Sequence, residues 1–414
     1  MKEDLSNHLN DPRQLEMLYR KDKRAFKREF SALYPELQGQ PLAEFWNARL
    51  THDSGETYWG TRQEILFVLI ASLLAGLFAK LPAFFAISED FFYPRNIGFI
   101  VFPALTAFFA WKHKLSSGKA AFIAGATVLG LIFINILPDD PKSDTLILSC
   151  LHLPLYLWIL LGFTFVGGAE SNDDKRLGYL KYNGDLLVIT ALILIAGGIM
   201  TGITIGLFSL IGFNIEEFYF EYVAVFGLAA APIVGTYLIR SNPALVGRVS
   251  PVIAKIFSPL VLVMLVIYLG AMVYSGKDPY NDREFLIVFN GLLIGVMAII
   301  FFSVVETART KLIRIESWVL FLLSAVTVIV SGIALSAIIF RIWEYGITPN
   351  RAAVAGGNIL MLIHLLLVTV QLFRLALKKG NISAVGKAIA EYLPVYFVWA
   401  IVVVFIFPFV FGFE

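Results

Sequence analysis

The feature that most constrains this fold is a series of long apolar runs, which starts at residue 65 and recurs through the rest of the sequence. A helix of about 20 apolar residues spans the hydrocarbon core of a bilayer. Only 15% of the residues are charged, against about 25% in soluble proteins, so a soluble surface could not be covered. We therefore predict an all-α, polytopic transmembrane helix bundle of about eleven spans. The spans are expected at residues 65–87, 96–111, 120–137, 144–168, 184–212, 220–239, 252–275, 284–305, 317–340, 352–377 and 390–411.

The residues before the first apolar run are polar, and they divide the chain into two parts. We predict a short cytoplasmic helical leader at residues 1–62 and a transmembrane domain at residues 63–414. Because the first sixty residues lack a long apolar stretch, no cleaved signal peptide is expected. Thr61 and Glu64 have the spacing that caps the first span.

Lysine and arginine alternate in abundance between successive connecting segments, and cytoplasmic connections are the ones enriched in them. The richer segments, on the side of the leader, carry Lys112, Lys114, Lys119, Lys175, Arg176, Lys181, Arg240, Arg248, Arg309, Lys311, Arg314, Lys378, Lys379 and Lys387. The poorer segments carry Arg95, Lys142, Lys277, Arg283, Arg341 and Arg351. We therefore expect a cytoplasmic N-terminus and a C-terminus on the outer side.

The stretch RIWEYGITPNR, from Arg341 to Arg351, is a polar turn between the ninth and tenth predicted spans. Gly346 suits the left-handed conformation just past a helix end. Thr348 can accept a hydrogen bond from a free amide of the next helix, and Pro349 fits the first turn of that helix. These residues predict a helical hairpin on the outer face.

Three charged residues of this hairpin, Arg341, Glu344 and Arg351, are not needed for the turn. Arg341 and Glu344 share a helix face, and Arg351 could close over the same carboxylate. One interpretation is an ion-pair cluster at the membrane surface, whose arginines also contact lipid phosphates. The other is an anion or carboxylate site that faces an outward-open cavity, since arginine binds carboxylates in a bidentate manner. The spacing leaves both interpretations open.

The pattern Glu-Tyr-Gly-Ile-Thr-x-x-Arg, from Glu344 to Arg351, lies between two apolar runs near the end of the sequence. Together with the leader segments LEMLYRKDKRAFKREFSALYPE and FWNARL, it resembles bacterial multi-spanning membrane proteins of domain-of-unknown-function family 4153. The resemblance implies a protein of the bacterial cytoplasmic (inner) membrane. It transfers no catalytic or binding residue, because it implies no known activity.

The leader contains the signature of an amphipathic helix, with Asp11 as N-cap, Pro12 in the first turn and Gln14 completing a capping-box pattern. Apolar residues then recur at near-helical spacing opposite a basic face. The apolar set is Leu15, Leu18, Tyr19, Phe26, Phe30 and Leu33, and the basic set is Arg20, Lys21, Lys23, Arg24, Lys27 and Arg28. Such a helix can lie on an anionic inner leaflet or pack on the cytoplasmic ends of the bundle. A second short helix is expected at residues 41–50, and lipid headgroups explain the basic face more simply than nucleic acid does.

Polar residues inside the predicted spans are functional candidates, because their burial in lipid is costly. His152 lies in the fourth span, and Asn358 and His364 lie in the tenth. With the three charged residues of the hairpin, they would form an outward-facing polar pocket if their helices are neighbours. The alternative for each histidine is a neutral side chain bonded to a backbone carbonyl or a hydroxyl group.

Other polar residues have mainly structural interpretations. Lys80 is expected to reach the outer interface with its terminal amine, and Glu306 is expected to pair with Arg309 at the inner end of the eighth span. Asn135 and Asn290 lie in the outer halves of their spans and could extend the predicted pocket.

No cofactor or metal ion is expected. The single cysteine, Cys150, excludes a disulfide framework and a cysteine-based zinc site. The sequence contains neither HExxH nor the phosphate-binding GxxxxGK[ST] pattern, so ATP-driven transport by this chain alone is not expected.

Three classes of function remain. A transporter or lipid-handling permease, with a small-molecule or lipid substrate, fits the many spans and the polar residues of their outer halves. A partner or sensory subunit could dock through the basic leader. A membrane-embedded enzyme could use His152, Glu344 or His364 as an acid or base.

Overall fold

The structure is a computed structural model, and it confirms the all-α prediction, with 89% helix and no strand among the described residues. Two compact units divide the chain, Met1–Trp59 and Gly60–Glu414. The described residues are 5, 8–9, 11–21, 26, 29–31, 33–34, 37, 39–52, 61–167, 173–210, 214–241, 258–263, 265–267, 269–270, 280, 283–307 and 314–414.

Fourteen helices are numbered here in chain order, within the described residues. The first unit contains α1 Pro12–Lys21 and α2 Pro41–His52. The second unit contains α3 Arg62–Ala79, α4 Leu81–Phe85, α5 Glu89–Lys112, α6 Ser117–Ile136, α7 Asp144–Val166, α8 Asp173–Leu210, α9 Glu216–Ser241, α10 Ser258–Ile267, α11 Arg283–Thr307, α12 Arg314–Tyr345, α13 Pro349–Ala376 and α14 Ile382–Val410.

Within the described part of the chain, eight helices are long and apolar enough to cross a membrane, which is the architecture of a multi-pass membrane protein. They are α3, α6, α7, the Asp173–Gly202 part of α8, α9, α12, α13 and α14. The other three predicted spans fall on α5, α10 and α11. The described part of α10 and the apolar part of α11, Asn290–Glu306, are shorter, and α5 is polar in its first turns. The predicted count of about eleven spans is therefore not confirmed.

Local capping signals in the sequence produce the expected helix ends. The Thr61 side chain accepts a hydrogen bond from the Glu64 amide, and Glu64 accepts one from the Thr61 amide at 2.6 Å, which completes the capping box of α3. At the hairpin, Gly346 has a φ of +80°, and the Thr348 hydroxyl accepts from the Arg351 amide at the start of α13. Pro349 is the first residue of α13.

Five apolar clusters of described residues hold the second unit together, and two are larger than the rest. One joins α3, α5, α7, α8 and α9, with the aromatic rings of Phe109, Tyr179 and Tyr182 at its centre. The other joins α10, α11, α12, α13 and α14, and it contains Ile300, Leu323, Leu365 and Ile389. Helix α13 packs against both α12 and α14. On α13, His364 is next to Leu365 of this second cluster.

Two π-helical turns interrupt the second unit, at Tyr219–Ala224 in α9 and Val402–Ile406 in α14. A π turn shifts the backbone pairing and leaves carbonyl groups for other donors. The carbonyl of Val404 accepts a hydrogen bond from the Ser149 hydroxyl of α7 at 3.1 Å. This bond fixes the last part of α14 against α7.

The first unit has an apolar core of its own. Apolar residues of the predicted leader helix lie inside it, where Tyr19, Phe26 and Phe30 pack with Trp46 of α2. Asp11 caps α1 by accepting from two amides, and α2 occupies the predicted second helix. Since Leu15 is 1% exposed and Trp46 is 2% exposed, this apolar face is already covered within the unit.

Candidate functional site

The two arginines of the hairpin donate hydrogen bonds to backbone carbonyls. Arg351 donates from Nη1 to the carbonyls of Tyr345 and Gly346, at 2.8 Å each, and so satisfies acceptors that are free at the end of a helix. Arg341 donates to the carbonyl of Tyr280 at 3.1 Å. Glu344 is exposed and makes no ion pair with a described residue. The three charged residues therefore do not form one cluster.

His152 lies on a different helix from the hairpin residues and from Asn358 and His364. It is half-buried on α7, and its Nδ1 lies 2.9 Å from the carbonyl of Leu148, one turn earlier in the same helix. The sequence left two interpretations of each histidine, a pocket residue or a ring bonded to a backbone carbonyl or hydroxyl. His152 fits the second.

Asn358 and His364, both on α13, are fully buried. Asn358 is 1% exposed, and neither its Oδ1 nor its Nδ2 has a hydrogen-bond partner. His364 is 0% exposed. Its Nδ1 lies 3.1 Å from the Tyr396 hydroxyl, but its Nε2 has no partner, although the backbone of Ala388–Ile389 lies close to the ring.

The ring of His364 is held by three aromatic neighbours. Its Nδ1 shares a hydrogen bond with the Tyr396 hydroxyl, in which either group can be the donor. Tyr392 stacks on the ring with a centroid distance of 4.5 Å, and Phe301 lies at 4.6 Å. These contacts fix the orientation of the His364 ring.

Unpaired buried polar atoms are concentrated in the last four helices. Nine side-chain atoms of the described residues are buried without a hydrogen-bond partner, and six of them belong to α11–α14. These six are Asn290 Oδ1, Ser331 Oγ, Asn358 Oδ1, Asn358 Nδ2, His364 Nε2 and Trp399 Nε1. We call these five residues the orphan cluster.

Contacts between neighbouring helices place the orphan cluster at a common level. Antiparallel α13 and α14 touch where Trp399 covers Gly356 and where Tyr396 bonds to His364, and Asn358 lies between these two contacts. Ser324 of α12 bonds to Thr369 of α13 at 2.6 Å. Ser331 lies two turns from Ser324 along α12, in the direction of the α12–α13 hairpin.

The contact between α11 and α14 gives the level of Asn290 in the bundle. Asn290 is two turns from Met297, the partner of Tyr396, and it therefore lies near the level of Trp399. Since each turn rises about 5.4 Å, the whole cluster spans roughly two turns, in the half of the bundle nearer the α12–α13 hairpin.

The sequence builds this arrangement with small residues. A Cβ atom at Gly356 would overlap the six-membered ring of Trp399, so only glycine lets the indole lie against α13. Gly357 is different, because a Cβ there would make an ordinary contact of 3.9 Å with Trp399 Nε1. On α12, Ser324, Thr327 and Ser331 are all 0% exposed and follow one helix face.

The orphan cluster is costly unless something bonds to it. A buried polar group without a partner costs about 1–3 kcal/mol in proteins, and lipid offers no replacement for the missing bonds. The described residues leave six such atoms on α11–α14. This arrangement is suited to hold water or a polar molecule within the bundle.

A second buried polar cluster lies at the other end of α11. Lys181 of α8 forms ion pairs with Glu306 of α11 and with Asp185 of its own helix, the latter at 3.1 Å. All three side chains are buried, at 12%, 4% and 7% exposure. Nearby, the hydroxyls of Ser258 and Ser303 lie 2.7 Å apart. The Lys181–Glu306 pair joins α8 to α11, and the serine contact joins α10 to α11.

Sequence reasoning missed this second cluster. Lys181 was counted only as a charge of a connecting segment, and Glu306 was assigned to Arg309, which lies outside the described residues. Asp185 was not singled out. The available signal was the four-residue spacing of Lys181 and Asp185, which places them on one helix face.

Several other buried polar residues of the second unit have protein partners. Asn96 and Asn135 exchange amide hydrogen bonds of 3.0 and 2.8 Å between α5 and α6. Lys80 is 5% exposed and pairs with Glu221 at 2.9 Å, rather than reaching the interface unpaired. Arg95 donates to the carbonyls at the end of α6. These residues connect helices and leave no orphan atoms.

No family model matches the chain, and no curated protein or solved structure is significantly similar to it. The resemblance to family 4153 stays a prediction. Among the described residues, no three His, Cys, Asp or Glu side chains are grouped so that they could hold a metal ion.

Proposed function

We propose that the chain is a permease that binds a small polar solute between α11 and α14. The observation that carries the proposal is the orphan cluster, whose six buried polar atoms have no protein partner. In a membrane-embedded bundle, such atoms mark a water-filled or solute-filled site. Three of the residues proposed from sequence, Asn290, Asn358 and His364, belong to it.

The ion-paired cluster of Lys181, Asp185 and Glu306 supports the same proposal. It connects α8 and α11 at the end of the bundle away from the hairpin. A permease needs its site closed from one side while it opens to the other. A buried ion pair between two helices is a contact that can close one side, because it either forms or is broken.

The proposed location is the bacterial cytoplasmic membrane. The alternation of basic segments supports a cytoplasmic N-terminus and an outer C-terminus. With α5, α10 and α11 included as spans, the chain would cross eleven times, which agrees with that orientation. The orphan cluster would then lie in the outer half of the membrane.

The first unit offers a second candidate function, as a docking module for a partner. A groove of about 610 Å³ between α1 and α2 is lined by Arg13, Arg20 and Arg49 and by the exposed side chains of Met17 and Phe45. Its positive charge would also suit the anionic headgroups of the inner leaflet. We propose this as an additional role of the unit, beside the permease function.

Chemical modification of an introduced cysteine tests whether water reaches the orphan cluster. Cys150 is first replaced by Ala, which leaves a cysteine-free chain. The Ser331→Cys variant of this background is then exposed, in membranes, to a small water-soluble methanethiosulfonate. We expect rapid modification, because the reagent needs a hydrated thiolate.

Val368→Cys is the matched control for this experiment. Val368 is also 0% exposed, but it lies in the apolar core beside Leu365 and Leu372. It should remain unmodified. If the Ser331→Cys variant is modified as slowly as the Val368→Cys variant, water does not reach the cluster and the permease proposal is wrong.

A further inference from the structure

The exposed apolar side chains of the first unit are gathered at one place. Among its described residues, the large apolar side chains left exposed are Met17 of α1 and Phe45 of α2, at 56% and 57% exposure. Both line the groove of about 610 Å³ between the two helices, together with the buried ring of Trp46. The groove is therefore where the described part of this unit offers an apolar surface to another molecule.

The same groove carries an excess of positive charge. It is lined by Arg13, Arg20 and Arg49, the three arginines whose side chains the structure describes in this unit, and by one acidic residue, Glu16. Three positive charges against one negative charge leave two positive charges in excess. The groove volume is within the range of small-molecule sites, roughly 300–1,000 Å³, so a phospholipid headgroup can enter it.

Glu16 fixes two of the guanidinium groups in the groove. Nε of Arg20 and Nη1 of Arg49 each lie 2.9 Å from a Glu16 oxygen, and Arg49 also lies over the ring of Trp46 at 4.8 Å. Arg20 donates to Glu16 through Nε, which leaves its two amino groups for an anion. The side chain of Arg13 makes no ion pair or hydrogen bond with a described residue. Guanidinium groups bind phosphate through paired N–H groups.

A lipid surface is the partner that the chain itself keeps within reach of this groove. Nine residues, 53–61, separate the end of α2 at His52 from the start of α3 at Arg62, and nine extended residues span at most about 30 Å. Helix α3 is long and apolar enough to cross a membrane. This tether gives the first unit a high effective concentration at the bilayer surface. Interfacial binding combines apolar side chains that enter the headgroup region with basic side chains that attract anionic lipids.

We infer that the groove between α1 and α2 binds anionic phospholipids, with Met17 and Phe45 in the headgroup region and with Arg13 and Arg20 on lipid phosphates. The inference rests on the docking role proposed for the first unit and names its partner. The binding surface differs from the apolar face predicted from sequence, because residues of that face, such as Leu15, lie inside the core of the unit.

The test uses the full chain in nanodiscs, in the cysteine-free Cys150→Ala background with a single Met17→Cys substitution. The new cysteine carries a small apolar fluorophore, which lipids with a spin label near the top of the acyl chain quench on contact with the bilayer. We expect strong quenching in nanodiscs that contain phosphatidylglycerol, and weak quenching in nanodiscs of phosphatidylcholine alone.

Arg13→Gln should lower the ratio of docked to undocked units in the anionic nanodiscs by roughly fivefold, the contribution of one basic residue at such a surface. Gln14→Glu is the matched control, because it changes the net charge equally but lies outside the groove lining. A glutamate three residues after the Asp11 cap also suits the helix start. Gln14→Glu should therefore change the ratio far less.

Equal quenching in both kinds of nanodisc, or equal effects of Arg13→Gln and Gln14→Glu, would overturn the inference. If the emission is shifted to the blue of the free dye without quenching by lipid, protein covers the groove, so the lipid assignment is wrong and the docking role stands. If the emission is neither shifted nor quenched in either nanodisc, the groove is open to water and the docking role is wrong as well. The permease proposal is tested separately, by the Ser331→Cys variant.

Discussion

Asn358 and Asn96 are equally buried, at 1% exposure each, but only Asn96 is paired. Asn96 bonds to Asn135 and to the carbonyl of Phe92, whereas both amide atoms of Asn358 are without a partner. Exposure alone would treat the two residues alike. Their hydrogen bonds distinguish them, since Asn96 holds two helices together and Asn358 leaves both amide atoms without a partner.

The same substitution should therefore have opposite effects at the two positions. Asn358→Leu removes an unsatisfied group, so the thermal midpoint of the purified protein should stay the same or rise. Asn96→Leu leaves Oδ1 of Asn135 without a donor, while Nδ2 of Asn135 keeps its bond to the Leu131 carbonyl, and the substitution should lower stability by about 1–3 kcal/mol. Thermal unfolding in one detergent compares the two variants. A marked loss of stability in Asn358→Leu would show that its amide is bonded in the folded protein.

Adjacent glycines give a second residue-scale prediction. Gly356→Ala places a methyl group in the ring of Trp399, so the indole must move away from α13. Gly357→Ala makes only an ordinary contact, and it should also favour the helix slightly. We expect Gly356→Ala to lower the thermal midpoint and to alter solute entry, while Gly357→Ala changes neither. Equal behaviour of the two variants would contradict the close contact.

At the scale of elements, α8 and α11 depend on one buried lysine. Lys181→Met leaves Asp185 and Glu306 buried without a cation, and breaking a buried ion pair costs about 3–5 kcal/mol. Glu306→Gln should cost less, because Lys181 keeps Asp185 as a partner. Denaturant unfolding measures both effects.

The control for this prediction is an exposed ion pair on α14. Lys387 and Glu391 lie 3.6 Å apart, at 62% and 58% exposure, and exposed pairs contribute about 0–1 kcal/mol. Lys387→Met should therefore be nearly neutral. A Lys181→Met variant as stable as Lys387→Met would mean that the α8–α11 contact does not rely on the ion pair.

The ends of elements could be predicted from sequence, but their partners could not. The caps at Thr61 and Thr348 and the turn at Gly346 depend on residues within four positions of each other, and all three were confirmed. Lys181 and Glu306 are 125 positions apart. Their contact depends on how α8 docks on α11, which no local pattern specifies.

At the scale of the whole molecule, the first unit has its own core and its own pH dependence. Glu16 of α1 accepts from Arg20 at 2.9 Å and pairs with Arg49 of α2 at 2.9 Å. The hydrogen bond from Arg20 and the charge of Arg49 outweigh desolvation and lower the pKa of Glu16 below its ordinary value of 4.5. These bonds connect the two helices of the unit.

The sign of the pH effect follows from that lowered pKa. In the unfolded chain Glu16 takes up a proton near pH 4.5, whereas in the folded unit it does so at lower pH. The bonds of Glu16 therefore stabilise the unit fully above pH 4.5, and their contribution is lost as the pH falls through the folded pKa.

Hydrogen exchange of peptides from α1 and α2, corrected for intrinsic rates, measures this loss of protection. Glu16→Gln should weaken the acid dependence, and Glu44→Gln, on the exposed side of α2, should retain it. An unchanged acid dependence in Glu16→Gln would assign it to other groups.

The sequence by itself determined that this chain is all helical, where most of its helices lie, and how the α12–α13 hairpin turns. These features follow from apolar run length and from caps, which act over a few residues. The sequence also singled out Asn358 and His364, because polar residues in apolar runs are conspicuous. It could not separate them from His152, Asn135 or Arg341, which have the same appearance in the sequence.

Only the tertiary structure decided which polar residues are paired. Asn135 finds Asn96, Arg351 finds the end of α12, and the leader's apolar face finds Trp46. Asn358 and Trp399 find no hydrogen-bond partner among their neighbours. The physical reason is that a hydrogen bond requires two groups within about 3 Å, and groups on different helices reach that distance only when the helices have packed.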